Sequence, residues 1–291
     1  MILKHPLQTV LLGAVLMSAP VTSLRAQQEG TVEAVAPILK AEDAREWSPD
    51  VFRRGLEYPD PMVRRTAATA IGRLRDTRGS ELLLAHLRDP DSTVQAQIMF
   101  AYGLLGDTSN VAAIIARYSD QPHLWRDAAT EGITALAKTG GPAVATFFSG
   151  ILRGTVAMTV DSVPPVRLAV ARELWRLGPS APAVDLLPFL RDSMIEVRQA
   201  AVYSAGRLRA KGAGEPLLLA LRDEISLIRA WAARALTKSY TASEGLTPDA
   251  VVGGLRRLLA DDDPGVRINA IRSLGSFARP DLSEVIAPLL D

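Results

Sequence analysis

Histidine is scarce in this chain. Three occur, His5, His86 and His123, and cysteine is absent. Zinc and iron sites draw on several His, Cys or carboxylate ligands held at short spacing. His86 and His123 are each followed by leucine, and neither has a second histidine within helical reach. The lack of cysteine removes disulfides, thiolate nucleophiles and lipid attachment through sulfur. The chain contains no G-x-S-x-G elbow, no G-x-x-x-x-G-K phosphate cradle and no H-E-x-x-H pair. Gly140-Gly141-Pro142 has the glycines of a phosphate loop, but a glycine that ends one helix and a proline that starts the next account for it. No catalytic, cofactor-binding or metal-binding residue is assigned, so the expectation is a protein without enzymatic chemistry.

Arginine is the residue type that recurs at fixed spacing. Arg64, Arg126, Arg167, Arg198, Arg229 and Arg267 each follow a bulky apolar residue, and Gln95 takes the same place once. Such a row could bind an extended anion, or it could tie neighbouring turns together through carboxylates and carbonyls. Formal charge favours the second reading. The 33 basic and 32 acidic residues nearly balance, which gives no support for nucleic-acid or anionic-membrane binding.

The elements that position these arginines are repeated. The preceding anchors, Val63, Val94, Trp125, Val166, Val197, Ile228 and Val266, lie at intervals of 31, 31, 41, 31, 31 and 38 residues. Small or apolar residues recur four, eight and eleven places after the anchor: Ala67, Ile71 and Leu74 in the first copy, Ala201, Ala205 and Leu208 in the fifth. Those offsets trace one stripe of an α-helix. Glycine follows at the ninth place in four copies (Gly72, Gly103, Gly206, Gly275), where a missing side chain lets a neighbouring helix come close. Asp60-Pro61, Asp91-Ser92 and Asp263-Pro264 read as helix starts, with Asp as the cap. They contribute to predicted starts near Pro61, Ser92, Pro122, Pro164, Met194, Ile225 and Pro264. A second, shorter apolar run follows each first helix, as at Ser80–Leu87 and Ser109–Tyr118. The unit is therefore helix A, turn, helix B, and a unit of this size buries its apolar face only by stacking on copies of itself. Trp125, as an anchor, and Trp231, three places after one, are expected to pack, while Trp47 and Trp175 are expected to be partly exposed.

The D-P-x-V-R-x-x-A-x-x-A-(L/I)-G-x-L shape resembles HEAT repeats, in particular the short variety found in phycobilisome-lyase-like proteins. The resemblance covers residues 59–291, read as seven HEAT-like repeats. It implies an all-α, right-handed α-solenoid (a superhelix) with B helices lining the concave side. On that face Leu82, His86, Ala113, Arg117, Phe189, Leu219 and Arg257 form a mixed row, suited to an extended peptide or a neighbouring protein domain. HEAT-type deoxyhypusine hydroxylases hold iron with His-Glu dipeptides, which His86 and His123 do not form, so that activity is not carried over. Bilin lyase activity is not carried over either, because its substrates are cytoplasmic and this chain reads as exported.

Export rests on residues 1–26. Lys4 and His5 precede an apolar stretch, Leu7–Met17, too short for a membrane span, and Ala26 precedes the polar Gln27-Gln28-Glu29. This is the pattern of a cleaved signal peptide, with retention as an anchor the alternative. Cleavage would leave no stable membrane span and place the protein in a periplasm or outside the cell. Residues 27–58 read as a degenerate helical hairpin that caps the stack. Within it Val35, Ile38 and Leu39 share one side of a first helix, and Ser48 caps a second that begins at Pro49. Residues 154–163 are extra relative to the repeat and alternate like a strand or protruding loop. The final apolar run, 282–290, suggests a further domain or self-association beyond it. The expected function is an exported, non-catalytic scaffold for a protein or peptide. The alternative comes from EDAREW and the degenerate cap, which resemble the N-terminal HEAT region of exported bacterial cyclophilin-type peptidyl-prolyl isomerases. This chain would then be the docking region, since no cyclophilin residues occur in it.

Overall fold

The computed structural model describes residues 21–120, 124–156 and 163–282, and no strand occurs among them. The order is α1 (Val21–Asp43), α2 (Pro49–Leu56), α3 (Pro61–Leu74), α4 (Gly79–Ala85), α5 (Ser92–Leu105), α6 (Val111–Arg117), α7 (Arg126–Thr139), α8 (Pro142–Arg153) and α9 (Val163–Glu173). Two 3-10 segments, Leu174–Ser180 and Ala183–Arg191, follow. Then come α10 (Ile195–Leu208), α11 (Gly214–Ala220), α12 (Ser226–Ala235), α13 (Lys238–Ser243), α14 (Pro248–Arg257) and α15 (Pro264–Gly275). The longer A helices α3, α5, α7, α9, α10, α12 and α15 pack on one another in sequence. The chain is an all-α repeat solenoid.

A helices begin where capping chemistry places them. Asp60 accepts from the Met62 amide, Asp91 from Thr93 and Val94, and Asp263 from Gly265 and Val266, which satisfies amides that have no partner inside the helix. Six of the seven predicted starts fall within one residue of those observed. At α2 the order is as expected, but Ser48 makes no side-chain capping bond, and Pro49 alone favours the start by presetting φ. On α1, Ile38 is buried but Leu39 is exposed, so the buried stripe is narrower than the expected one. Helix α1 runs through the expected cleavage point at Ala26.

The core is a ribbon of small aliphatic residues, and its tightest joints lie in the A layer. A Cβ on Gly72 would stand 2.7 Å from the Ala101 Cα, one on Gly103 3.0 Å from the Ala135 Cα, and one on Gly206 3.0 Å from the Ala235 Cβ. At these three positions the helices touch at the glycine surface, as expected. Gly275 has no neighbour within 4 Å among the described residues, so close approach is not its role there. Two serines reinforce the same seam from inside: Ser204 donates to the Ala171 carbonyl at 2.5 Å and Ser273 to that of Ala233 at 2.6 Å. Buried tyrosines add further ties. Tyr118 Oη donates to Ala129 O and Tyr240 Oη to Ala210 O, and burial pushes both phenols up.

The third repeat is out of the predicted register. Helix α7 begins at Arg126 rather than near Pro122, and residues 121–123 lie outside the described ones. In the other units helix A generally starts two residues before its anchor. By that rule the third anchor is Ala128, which is fully buried. Ala135 then occupies the same place as Ala101 and Ala235, seven after the anchor, and meets the preceding glycine as they do. Trp125 becomes the N-cap residue and is 47% exposed, which corrects the expectation that it packs. Leu124, beside it, is the buried residue.

The longest interval is partly explained by α8, which extends to Arg153 and closes with Gly154 at φ 70°. Thr155 then donates its amide back to the Gly150 carbonyl, and Val156 packs on the core. Residues 157–162 of the expected loop lie outside the described residues, as does the final apolar run after Leu282. The 38-residue interval accommodates α13 as an extra helical turn between α12 and α14. No helix among the described residues is long and apolar enough to cross a membrane.

Candidate partner-binding surfaces

The arginine row resolves first, because it separates structural cations from available ones. In a regular repeat the arginine is the fourth residue of helix A, and its side chain turns back over the preceding turn, as helical side chains do. Arg64 donates Nη1 to the carbonyls of Tyr58 and Pro59, and Nε and Nη2 to Asp89, at 2.7–2.9 Å. Arg229 repeats the arrangement on Asp223 and Glu224 carbonyls and the Asp261 carboxylate. Arg198 binds the Asp192 carbonyl and Asp223, and Arg267 the carbonyls of Asp261 and Asp262. The receiving aspartate closes its own turn by accepting an amide two residues on, as Asp89 does from Asp91, Asp223 from Ile225 and Asp261 from Asp263. Each arginine therefore links its own turn to that of the next repeat through a planar fork. Hydrogen bonding to these carboxylates holds the Arg64, Arg198 and Arg229 guanidiniums above their ordinary value and Asp261 below its own.

Gln95 is no exception, since its Nε2 donates to the Asp89 carbonyl six residues back, the same partner position. One predicted member does not join. Arg126 is exposed at the first position of α7, because the shift of the third anchor puts Ala129 in the ladder place. Arg167 lies over the Phe189 ring at 5.7 Å, and the turn that precedes its helix lies outside the described residues.

The B-helix row is only partly a surface. Leu219 is 52% exposed, and Ala113 and Arg257 are exposed. Leu82, His86 and Phe189 are half-buried, with the His86 Nδ1 2.8 Å from the Leu82 carbonyl and Phe189 packed against the core. Arg117 is a correction. It is 3% exposed, and its Nε reaches the Leu87 carbonyl of the preceding repeat, so it binds two B helices together. Burial lowers its pKa. Around Leu219 the face opens into a shallow cleft of about 390 Å³ lined also by Leu190, Arg191, Pro216 and Ala220.

A second surface, on the A helices, was not singled out as a site in the sequence. Trp175, Tyr203 and Trp231 stand nine, six and three places after successive anchors. They form a diagonal across three helices, with Trp175 and Tyr203 6.2 Å apart and Tyr203 and Trp231 4.9 Å apart, both edge to face. Arg207, Arg209 and Arg234 flank the diagonal around a cleft of about 320 Å³. The sequence signal was available, an aromatic stepping back one helical turn per repeat, but it becomes a row only once the A helices are known to lie side by side. Among the described residues no group of three His, Asp or Glu is placed to hold a metal. His123 lies outside the described residues.

Comparison with known proteins places this geometry. Residues 30–101, 49–134, 152–237 and 217–291 match the family model for HEAT repeats. Phycocyanobilin lyase subunit alpha from Picosynechococcus sp. is 26% identical over 213 residues, covering 68% of this chain and 72% of that protein. Among solved structures, an engineered protein aligns with a TM-score of 0.50 at 20% identity over 79% of this chain and 68% of its own, a likeness of fold alone. The complex of CpcE and CpcF of phycocyanin lyase from Nostoc sp. aligns at a TM-score of 0.40 and 19% identity, covering 95% of this chain and 99% of that one.

Proposed function

Because the chain belongs to the HEAT-repeat family, we propose that it is an exported, non-catalytic scaffold that docks a protein or peptide partner on its B-helix face. The observation that carries the reading is Leu219, a leucine left 52% exposed at the rim of a cleft among B-layer residues. An exposed leucine alone is ordinary. Here it stands beside Pro216 and Leu190; of the charged groups of the same cleft, Arg198 and Asp223 are bonded to each other, and Arg191 and Asp192 stand at its edge. The cleft thus offers an apolar patch bordered by exposed Arg191, with exposed Arg257 further along the layer to orient an extended segment. A photo-crosslinking residue at Leu219 or Arg257 should capture one protein in common, and the same residue at exposed Glu81 should not. Equal capture at all three positions sinks the reading.

Export rests on the leader-like pattern of residues 1–26, and cleavage would leave the greater part of α1 in place to cap the stack. N-terminal sequencing of the mature protein should begin at Gln27. Recovery of the intact N-terminus from a membrane fraction would replace cleavage by anchoring. A lyase reading is favoured by the name of the relative from Picosynechococcus sp.. It predicts that adding the chain changes the visible absorption of phycocyanobilin presented with an acceptor protein. The scaffold reading predicts no turnover.

A further inference from the structure

The A-helix surfaces of successive repeats differ in what they offer. At the outward positions α3, α5 and α7 carry one aromatic, Phe100, and two cations, Arg73 and Lys138, among polar residues such as Thr69, Gln97 and Glu131. On α10 and α12 these positions carry Tyr203, Arg207, Trp231 and Arg234, and Trp175, on the 3-10 segment after α9, adjoins them from the place that Gly72 holds in its own repeat. Between α10 and α12 the seam beneath is the same glycine-to-alanine contact as in the first repeats, Gly206 on Ala235 here and Gly72 on Ala101 there, so that joint does not call for the larger side chains above it.

The arginines on this surface fall into two groups. Arg172 and Arg176 both pair with the buried Glu173 and are spent on it. Among the described residues Arg207, Arg209 and Arg234 have no carboxylate partner, and the cleft they line contains no acidic residue. Arg209 donates to the Ser239 hydroxyl and lies 5.6 Å from the Tyr240 ring centre. Stacking holds the others in place: Arg207 lies 4.1 Å from the Trp175 ring centre and 5.9 Å from that of Tyr203, and Arg234 5.7 Å from that of Trp231. A guanidinium held over an aromatic ring gives the ring no N–H···O bond, so its donors stay available to a carboxylate. Like charges gathered without a counter-ion lose stability, so an arrangement of this kind is completed by an anion from elsewhere.

The rings discriminate between kinds of anion. A nucleic-acid platform leaves aromatic faces open for bases. Here Trp175 lies beneath Arg207 and Arg176, and the rings meet one another edge to face, so little stacking surface remains. The near balance of charge over the whole chain also provides no field to gather a long polyanion. We propose that the cleft over Tyr203 and Trp231 binds an acidic peptide segment of a partner protein. Its carboxylates are received by Arg207, Arg209 and Arg234, and an apolar side chain between them sits on the Trp231 and Tyr203 edges. This site lies on the opposite helix layer from Leu219 and is independent of the reading given for that residue.

The test is fluorescence anisotropy with the purified chain and a labelled decapeptide alternating Glu and Leu. Saturable binding is expected, weakened by salt and weakened at least about tenfold (~1.4 kcal/mol) in the Arg207→Gln, Arg234→Gln double variant. Circular dichroism and Tm of that variant should match the parent, since both side chains are exposed. Arg54→Gln, which removes one positive charge from an exposed position of α2, and Leu219→Asp should bind as the parent does. Arg207→Lys should fall between, because the charge is kept and the planar stack is lost. Three results would overturn the proposal: equal binding of a Gln/Leu peptide, parent-like binding by the double variant, or displacement by inorganic phosphate or single-stranded DNA more readily than by unlabelled acidic peptide.

Discussion

The first and third repeats use the same architecture with different ties, and the difference shows what the arginine ladder depends on. In the first, Arg64 is the fourth residue of its helix and joins Asp89 across the repeat boundary. In the third, helix α7 starts late, the fourth residue is Ala129, and Arg126 is left exposed outside the helix joint. The apolar seam survives the change, since Ala128 replaces Trp125 as the buried anchor and Ala135 still meets Gly103. Close helix contact is therefore the conserved joint of the stack as built, and the fork is an addition that holds only where the helix start is in step.

The sharpest way to break that comparison is at the seam. Gly72→Val places a branched side chain within 2.7 Å of the Ala101 backbone and should cost about 3 kcal/mol or more by overpacking, read as a lower midpoint in urea. Gly275→Ala, with no neighbour within 4 Å among the described residues, should leave the midpoint unchanged or raise it slightly through helix propensity. Equal losses at both positions would remove the seam from the account.

The ladder comes next. Asp89→Ala leaves the Arg64 guanidinium, 11% exposed, with two carbonyls but no counter-charge and should cost about 3 kcal/mol, while Arg126→Gln should stay within about 0.5 kcal/mol. A large loss at Arg126 would mean that the third repeat has a tie of its own.

Acid should act on the same elements with a smaller effect per group. Hydrogen bonds from Arg229 hold Asp261 below the usual carboxylate range. Burial opposes ionisation of Asp107, but hydrogen bonds, including those from Ser109 and Asn110, outweigh it and hold that group at about 2. A depressed carboxylate contributes stability that is fully present above its unfolded value and is lost as pH falls through the folded one. For Asp107 that window runs from about 3.9 down to about 2. Thermal melts should fall across it, and Asp107→Asn should flatten the fall. The smallest effect is expected at Trp125→Ala, below about 1 kcal/mol, since the ring is half in solvent. A loss as large as that of a core tryptophan would restore it as an anchor.

Much of this molecule was legible before any coordinates. The helix pairs, their caps at Asp60, Asp91 and Asp263, and the glycine joints at Gly72, Gly103 and Gly206 all follow from spacing. Local sequence contains the whole reason for them: a helical period, a side chain able to bond a free amide, and a position with no Cβ. The third register was not legible, because Trp125 preceding Arg126 copies the anchor motif while the helix that decides its meaning starts at Arg126. The B-face row was half legible, since helical period separates inside from outside but does not reveal that Arg117 reaches across to the Leu87 carbonyl.

Sequence by itself determined the repeat, its all-helical character, the residues that cap and join each unit, and the arginine that recurs at its fourth helical place. Tertiary structure decided which arginines are consumed and which remain available, because that depends on groups some 25–32 residues away in the chain, such as Asp89 for Arg64 and Asp261 for Arg229. It also decided that Trp175, Tyr203 and Trp231 form one surface. Residues separated by whole repeats become neighbours only through the stacking of helices, and a one-dimensional pattern records the period of that stacking without recording what it brings together.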